Sequence, residues 1–447
     1  MSETLRQALR DEAERAGSYA VYDRTLRTAR RRRRRRLASV AAGIAAVLVL
    51  LLAGLPGALA HRAFTPAGPP ADAPSLPDRL GFPPAFHPGI RDSPPGPASV
   101  VFGGQGFPIS TIAQLLDGEG DLAVVGARSE IYRTWLVSGF EVHAGEDVLL
   151  SPDGARLAMP SSMRTGVASV VDLRTGAAAR LGAFEPTADV TPLAWSPEGE
   201  RLAVQVSADG QDWIALVNVS NGRWQRLGDV DRSGLVGGFN LAFAPDGRRL
   251  AYQVGDRLTV MDLDRDEQIV RTVPADVRLA GKGAWTPDGT TLMMVRRDPN
   301  RSWQLVAQDP VSGVTREVGW TGGTDLTALR LIGWGPDGDP VVVAFRVEPS
   351  VPPEVRDRAT PETAYQVVHS IKVLSLPRVG APRTLLTAPH NLMSIDVADQ
   401  VIAGGRVRPG NPPRYGPLTG VSALLVLGAA TLAVHLFRRR RWRAAAR

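Results

Sequence analysis

The chain has 447 residues and no cysteine. It therefore forms no disulfide bond, and it has neither a thiol nucleophile nor a cysteine ligand for zinc. Lysine is almost absent, since it occurs at Lys282 and Lys372 alone, whereas arginine, alanine, glycine and proline are abundant. This bias is typical of a GC-rich bacterial genome, and we expect an actinobacterial source.

The short motifs that usually mark an active site are missing as well. The sequence contains no Gly-x-Ser-x-Gly nucleophile elbow, no phosphate-binding glycine loop and no His-x-x-x-His pair of metal ligands. Its six histidines are scattered along the chain. We therefore predict no catalytic residue, no metal ligand and no cofactor.

Excess positive charge is confined to the two ends of the chain. Residues 1–36 hold 12 arginines against 5 acidic residues, a net charge of +7, and residues 438–447 hold 6 arginines and no acid, a net charge of +6. Subtracting both from the overall charge of +7 leaves −6 for the residues between them. A protein that binds nucleic acid needs positive charge on its folded domain, so we exclude nucleic acid as a partner.

Two long hydrophobic segments flank the middle of the chain. Residues 37–60 form an uncharged run of 24 residues and residues 418–437 a run of 20, each long enough to cross ~30 Å of hydrocarbon as a helix. Arginines border both runs: Arg30, Arg31, Arg32, Arg33, Arg34, Arg35 and Arg36 before the first, and Arg438, Arg439, Arg440 and Arg441 after the second. Because positive residues stay on the cytoplasmic side, both termini are predicted to be cytoplasmic and residues 61–417 extracytoplasmic.

The first hydrophobic segment has an alternative interpretation. Ala58-Leu59-Ala60 resembles a signal-peptidase site, so the segment could also be a cleaved signal peptide. The second segment would still anchor the product. Both interpretations predict the membrane as a partner and the bacterial plasma membrane as the location.

A turn motif, Pro-Asp-Gly with one Pro-Glu-Gly variant, occurs five times between the hydrophobic segments. Its prolines are 45, 48, 42 and 49 residues apart. A period in the forties with short strands is typical of a four-stranded β-propeller blade. The five copies are Pro152-Asp153-Gly154, Pro197-Glu198-Gly199, Pro245-Asp246-Gly247, Pro287-Asp288-Gly289 and Pro336-Asp337-Gly338.

The residue types of this motif explain why it closes a hairpin. Proline presets φ at the second turn position, the acidic side chain accepts a local backbone hydrogen bond, and glycine adopts the left-handed conformation. Apolar alternation on both flanks predicts the two strands of the hairpin. In four copies an aromatic residue stands two places before the proline, and we predict that it packs between blades. These residues are Trp195, Phe243, Trp285 and Trp334.

A second signature follows the hairpins and predicts a third strand with its turn into a fourth. Its clearest copy is Asp-Leu-Arg-Thr-Gly at residues 172–176. The paired signatures resemble the TolB-like, PD40-type relatives of WD40 propeller repeats over about residues 98–407. This resemblance implies an all-β propeller fold and leaves the function open, because propellers host many activities.

Five blades are visible in the sequence, and a ring must close. Strand-like segments at 98–103, 121–126 and 131–137, together with a degenerate hairpin at 393–404, predict a sixth blade composed from both ends of the propeller. We expect six blades. Seven stay open as an alternative, because residues 98–147 are irregular.

The predicted organisation follows from these features. In chain order it is a basic cytoplasmic leader with a short amphipathic helix (1–36), a transmembrane helix (37–60), a linker with 11 prolines (61–97), the propeller (98–407), a short linker (408–417), a second transmembrane helix (418–437) and a basic cytoplasmic tail (438–447).

A long insertion in the fifth visible repeat, together with residues 320–325, is the predicted binding surface. The turn glycines Gly289 and Gly313 are 24 residues apart, whereas Gly338 and Gly380 are 42 apart, and the excess lies within residues 346–366. Long loops on a rigid scaffold often carry binding residues, although a solvated insertion without a partner is the alternative. The predicted surface comprises Trp320, Asp325, Glu348, Glu354, Arg356, Asp357 and Arg358.

Three functions are compatible with the sequence. The favoured one is a non-enzymatic module in the bacterial cell envelope that binds a protein or another ligand. The second is a transmembrane regulator of the anti-sigma type that signals through residues 1–29. The third is a metal-dependent propeller enzyme, since acidic residues near the ring axis could hold a cation.

Overall fold

The computed structural model describes residues 73–83, 87–104, 121–136, 142–160, 165–230, 235–297, 303–323, 326–347, 352 and 368–413. Within these ranges no helix is long and apolar enough to cross a membrane. The predicted membrane segments 37–60 and 418–437, with their flanking arginines, lie outside the described residues. Both anchors therefore stay predictions.

Short strands make up almost all of the described secondary structure. In chain order they are β1 (Leu76–Pro77), β2 (Ala98–Gly104), β3 (Asp121–Gly126), β4 (Tyr132–Leu136), β5 (Leu149–Leu150), β6 (Arg156–Pro160), β7 (Ala168–Asp172), β8 (Ala178–Leu181), β9 (Asp189–Trp195), β10 (Arg201–Ala208), β11 (Gln211–Asn218), β12 (Trp224–Val230), β13 (Leu241–Phe243), β14 (Arg249–Val254), β15 (Arg257–Asp262), β16 (Glu267–Thr272), β17 (Val277–Leu279), β18 (Leu292–Arg297), β19 (Trp303–Gln308), β20 (Thr315–Gly323), β21 (Leu326–Trp334), β22 (Pro340–Val347), β23 (Val368–Ser375), β24 (Arg383–Thr387), β25 (Leu392–Val397) and β26 (Val407–Arg408). One short helix, α1 (Asp399–Gly404), lies between β25 and β26.

These strands form a six-bladed β-propeller of four-stranded antiparallel sheets. Five blades are continuous in sequence: β5–β8, β9–β12, β13–β16, β17–β20 and β21–β24. The sixth, hereafter the composite blade, has the order β25-β2-β3-β4, so its first strand comes from the other end of the propeller. The prediction of six blades with a composite closure is confirmed, and the seven-bladed alternative is wrong.

The Pro-Asp-Gly turns join the first and second strands of the five continuous blades, on what we call the turn face of the ring. Their glycines have φ between 67° and 74°, a conformation that favours glycine over other residues. The turn aspartates accept backbone hydrogen bonds: Asp153 from the Ala155 N–H at 3.0 Å and Asp246 from the Arg248 N–H at 2.8 Å. Both contacts fix the turn locally, so each hairpin closes on its own.

The tryptophans before these turns lie between neighbouring blades, as predicted. The indole N–H of Trp195 donates to the Leu149 carbonyl at 3.2 Å, and that of Trp285 donates to the Ala242 carbonyl at 3.2 Å. Trp334 repeats the arrangement by donating to the Trp285 carbonyl at 2.7 Å. Each hydrogen bond joins the segment before one blade's turn to the corresponding part of the preceding blade, and a buried indole needs such a partner.

The second half of the predicted hairpin at 393–404 is helical. Strand β25 pairs with β2 as expected, but the chain then forms α1. Val401 and Ile402 are buried, Asp399 stands in the first turn, and Gly405, with φ of 60°, donates its N–H to the Ile402 carbonyl at 3.0 Å. The prediction of a second strand was wrong, because acid at the start and a left-handed glycine at the end favour a helix.

The segment predicted as a proline-rich linker, residues 61–97, is part of the folded unit in its described parts, residues 73–83 and 87–97. Leu76, Leu80, Phe82 and Ile90 are all buried in the core around the composite blade. Strand β1 also pairs in parallel with β26. The prediction of a linker rested on the prolines of the segment. It did not consider these apolar residues, and their burial favours packing against the ring.

The predicted C-terminal linker, 408–417, begins in the same way. Arg408 forms an ion pair with Glu130 at 2.8 Å, and both side chains are largely buried. Its guanidinium also donates to the carbonyls of Ser75, Gly126 and Ala127 at 2.6–2.9 Å. Arg408 therefore ties the start of this segment to the composite blade and to Ser75.

Candidate functional site

The centre of the ring is closed by the side chain of Arg330. This residue lies in the middle of β21, the first strand of its blade, and is 1% exposed. Its guanidinium donates to the carbonyls of Gly145 and Ile395, which belong to two other blades. The ring of Phe239, from a third blade, lies 4.8 Å from the guanidinium carbon. Because its partners come from different blades, Arg330 spans the ring axis.

Glycines make room for this side chain. A Cβ atom at Gly145 would lie 2.5 Å from the Arg330 guanidinium nitrogens, and one at Gly281 would lie 2.7 Å from Arg330 Cγ. Burial lowers the pKa of Arg330, while the carboxylates of Asp396 and Glu146 act in the opposite direction. A guanidinium stays protonated at any ordinary pH, so Arg330 is a permanent buried cation at the axis.

A second cation, Lys282, lies on the turn side of Arg330. Its ammonium group is 3.0 Å from Asp396 and 2.7 Å from Asp399, and it donates to the Val397 carbonyl at 2.6 Å. Burial alone would lower the pKa of Lys282, but the two carboxylates outweigh it and the pKa lies above its usual value. Lys282 is therefore a charged structural partner and a poor candidate for a general base.

Asp396 connects this ion pair to the blade that follows the composite blade. It is 1% exposed, and its carboxylate accepts the Leu150 N–H at 3.0 Å. Nearby, the Ser394 hydroxyl accepts the Ala144 N–H at 2.9 Å. The axial cluster, defined as Lys282, Arg330, Asp396 and Asp399, thus joins the closing strand β25 to blades around the ring.

A small cavity lies beside the axial cluster. Its volume is about 50 Å³, enough for a few water molecules. Its walls include residues at or next to the turns, so it lies toward the turn face; they include Trp195, Pro197, Phe243, Lys282, Asp396 and Asp399. Sites for small molecules usually measure about 300–1,000 Å³, so this cavity does not fit a substrate. Across the described ranges no group of three or more histidine, aspartate or glutamate side chains could hold a metal ion.

The predicted binding surface is described at one residue, Trp320. Its side chain is 6% exposed and lies between blades, with its ring centre 5.8 Å from that of Trp334 and 5.6 Å from the Arg378 guanidinium carbon. Little of this ring can reach a ligand. The other predicted residues lie outside the described residues, and their role stays a prediction: Asp325, Glu348, Glu354, Arg356, Asp357 and Arg358.

Sequence reasoning missed the axial cluster, although two signals were present. Arg330 is a charged residue in the middle of the apolar strand β21, and Lys282 is one of two lysines in the chain. Their partners are 65 and more residues away in sequence. No local pattern links positions at such a distance.

Comparison with known proteins identifies similar folds. No protein-family model and no curated protein matches the chain. Among solved structures it is similar to a putative TolB from Agrobacterium tumefaciens (15% identity, 66% of this chain and 90% of that one, TM-score 0.41). It is also similar to an oligogalacturonate lyase in complex with manganese (14% identity, 72% of this chain and 83% of that one, TM-score 0.42). A third similar structure is TolB from Acinetobacter baumannii (13% identity, 72% of this chain and 86% of that one, TM-score 0.36).

TolB propellers are thus among the structures that this chain resembles, as the repeat signatures predicted. The same comparison includes an enzyme, so it does not separate binding modules from catalysts. At these identities and TM-scores the likeness carries no argument about function.

Proposed function

We propose that the chain is a non-enzymatic protein-binding module, with its propeller held outside the bacterial cytoplasm by two membrane segments. The observation that carries this proposal is the closed axis. Arg330 fills the centre of the ring, and the cavity beside it has a volume of about 50 Å³. Among the described residues this part of the axis leaves little room for a substrate, which favours binding through the outer surface, and interfaces between proteins use large surfaces of this kind.

The location can be tested by cysteine labelling, because the natural chain has no cysteine. Ser220 lies in the exposed turn between β11 and β12, and Ser2 lies in the predicted cytoplasmic leader. In intact cells a membrane-impermeant maleimide is expected to label S220C and to label S2C only after permeabilisation. Labelling of S2C in intact cells, or protection of S220C, would contradict the proposed topology.

The partner class can be tested by cross-linking in cells, followed by mass spectrometry, with three forms of the full chain. These are the natural chain, a deletion of residues 350–361 and a deletion of residues 2–29. We expect cross-links to extracytoplasmic proteins that are lost with 350–361 and kept without 2–29. Loss of a cytosolic partner with 2–29 would favour the regulator instead. Partners unchanged by either deletion would refute the loop as a binding surface.

A further inference from the structure

Two histidines that are 21 residues apart in sequence lie together in the fold. His369 belongs to β23, and His390 lies in the turn between β24 and β25. Their ring centres are 4.5 Å apart, and the ring planes are inclined by 38°. The antiparallel pairing of β23 with β24 brings them together, because it pairs Lys372 with Thr387 and continues with the Ala388 N–H, which donates to the Ile371 carbonyl.

The backbone holds the pair in place. The turn that carries His390 is closed by the Leu392 N–H, which donates to the Pro389 carbonyl at 3.4 Å. Asn391, in the left-handed conformation with φ of 65°, donates its N–H to the carbonyl of His369 at 3.3 Å. Both rings are thus attached to the same hydrogen-bonded frame, which limits the conformational entropy lost when a ligand binds both.

The pair is open to solvent. His390 is exposed and His369 is partly exposed, so an ion can reach the rings from water. Imidazole nitrogen is a preferred ligand of Zn²⁺, Ni²⁺ and Cu²⁺, and the neutral ring is the form that binds.

The spacing of the rings fits a shared ion. With metal–nitrogen distances of about 2.1 Å, two histidines on adjacent positions around one ion have ring centres about 4.5–5.2 Å apart. The observed separation of 4.5 Å falls at the lower end of this range. The two rings are therefore close enough to share one ion.

We propose that His369 and His390 form a surface site for a single transition-metal cation of the Zn²⁺, Ni²⁺ or Cu²⁺ class. Each histidine provides one ring nitrogen, and water completes the coordination. Two protein ligands make the site exchangeable, unlike a closed structural zinc site with four.

The position of the site lets a bound ion stabilise the last continuous blade. His369 belongs to the last continuous blade, and His390 precedes β25, the strand that closes the ring. An ion held by both side chains joins two positions that the pairing of β23 with β24 places side by side in the folded blade. It therefore stabilises the folded state by mass action.

The test uses the full chain in detergent, without a polyhistidine tag, and titrates it with Ni²⁺ or Zn²⁺ by calorimetry. We expect one ion per chain in the natural protein and in H143N, whose histidine lies elsewhere in the ring. Either H369N or H390N is expected to weaken binding about tenfold or more, since half of the protein ligands are lost. His390 is exposed, so H390N keeps the test valid if H369N does not fold.

Two further measurements distinguish a metal site formed by both histidines from two rings that merely pack against each other. With Cu²⁺, the electron paramagnetic resonance spectrum should show coupling to two nitrogens in the natural protein and fewer in H390N. Added Zn²⁺ should raise the unfolding temperature of the natural protein and H143N and leave that of H390N unchanged. Equal metal binding by the natural protein, H369N and H390N would overturn the proposal and leave the pair as a packing contact.

Discussion

At the scale of single residues, Arg330 decides what the centre of the ring can do. Its planar guanidinium reaches two carbonyls at once and faces the ring of Phe239. Lysine is a point charge on a flexible stem and cannot reproduce this fork. The identity of the side chain therefore matters as much as its charge.

We expect R330K to lower the free energy of unfolding by about 2–4 kcal/mol, because a buried carbonyl loses its donor and the ammonium group is poorly paired. Urea unfolding followed by circular dichroism measures the change. The matched control is R174K, at an exposed side chain, with an expected change within about 0.5 kcal/mol. Equal effects at the two positions would refute the axial role of Arg330.

The turn aspartates predict how stability depends on pH. Partial burial opposes ionisation of Asp153 and Asp246, but hydrogen bonds from backbone N–H groups and nearby arginines outweigh it, so each pKa lies below its usual value of 3.8. The folded chain thus binds fewer protons than the unfolded chain at these sites. Their contribution is complete well above pH 3.8 and is lost as the pH falls through the folded-state pKa values.

We therefore expect the unfolding temperature to fall on acidification below about pH 4, and to fall less steeply in the double variant D153N/D246N. Thermal unfolding followed by circular dichroism between pH 7 and pH 2.5 measures both slopes. Parallel slopes for the natural chain and the double variant would show that the acid sensitivity comes from other groups.

At the scale of elements, the described residues 73–83 and 87–97 behave as part of the propeller. Ile90 is fully buried, and the neighbouring Gly89 forms a parallel bridge with Thr134 of β4. Leu80 and Phe82 pack on the core of the composite blade near Phe102, whose ring centre is 6.1 Å from that of Phe82. The segment covers a blade whose strands come from both ends of the propeller.

The variant I90A tests this role. We expect a loss of about 2–5 kcal/mol in the free energy of unfolding, because the substitution leaves a cavity in the core. In a free linker the same substitution would leave the free energy of unfolding almost unchanged. V379A, at a valine that is 90% exposed, is the control and should change stability by less than about 0.5 kcal/mol. Chemical denaturation of both variants decides between the two descriptions of the segment.

Local chemistry explains which elements could be predicted. The Pro-Asp-Gly turns fix their own hairpins, so their period predicts five blades, and the strand-like segments at both ends of the propeller predict the sixth. The helix α1 was missed because Leu392–Val397 alternates like a strand, and that pattern was extended past Asp399. The axial cluster was missed because Lys282, Arg330 and Asp396 meet through ring closure alone. Long-range contacts of this kind have no periodic signal in sequence.

At the scale of the whole molecule, ring closure depends on β25. This strand pairs with β2, and its carbonyls accept hydrogen bonds from Arg330 and Lys282. A closed ring shares its stability among the blades, whereas an open array contacts only its neighbours. A destabilising substitution in β25 should therefore also lower the stability of blades on the far side of the ring.

We expect I395D, which places a charge at a fully buried site of β25, to increase amide hydrogen exchange in every blade, including β9–β12. I269D, on the exposed face of β16, should leave exchange unchanged. Hydrogen–deuterium exchange with mass spectrometry resolves the blades separately. Faster exchange restricted to the composite blade and its neighbours would mean that the blades unfold independently.

The composite blade also sets an order of events during synthesis. Strand β2 is made early, but its partner β25 lies almost 300 residues later in the chain. At about 5–20 residues per second, the ribosome needs roughly 15–60 s to cover that distance. Throughout this interval β2, which contains Phe102, has an unpaired edge, and such edges readily pair with other chains. A nascent chain of this protein therefore needs protection from pairing with other chains until β25, its last blade strand, has been translated.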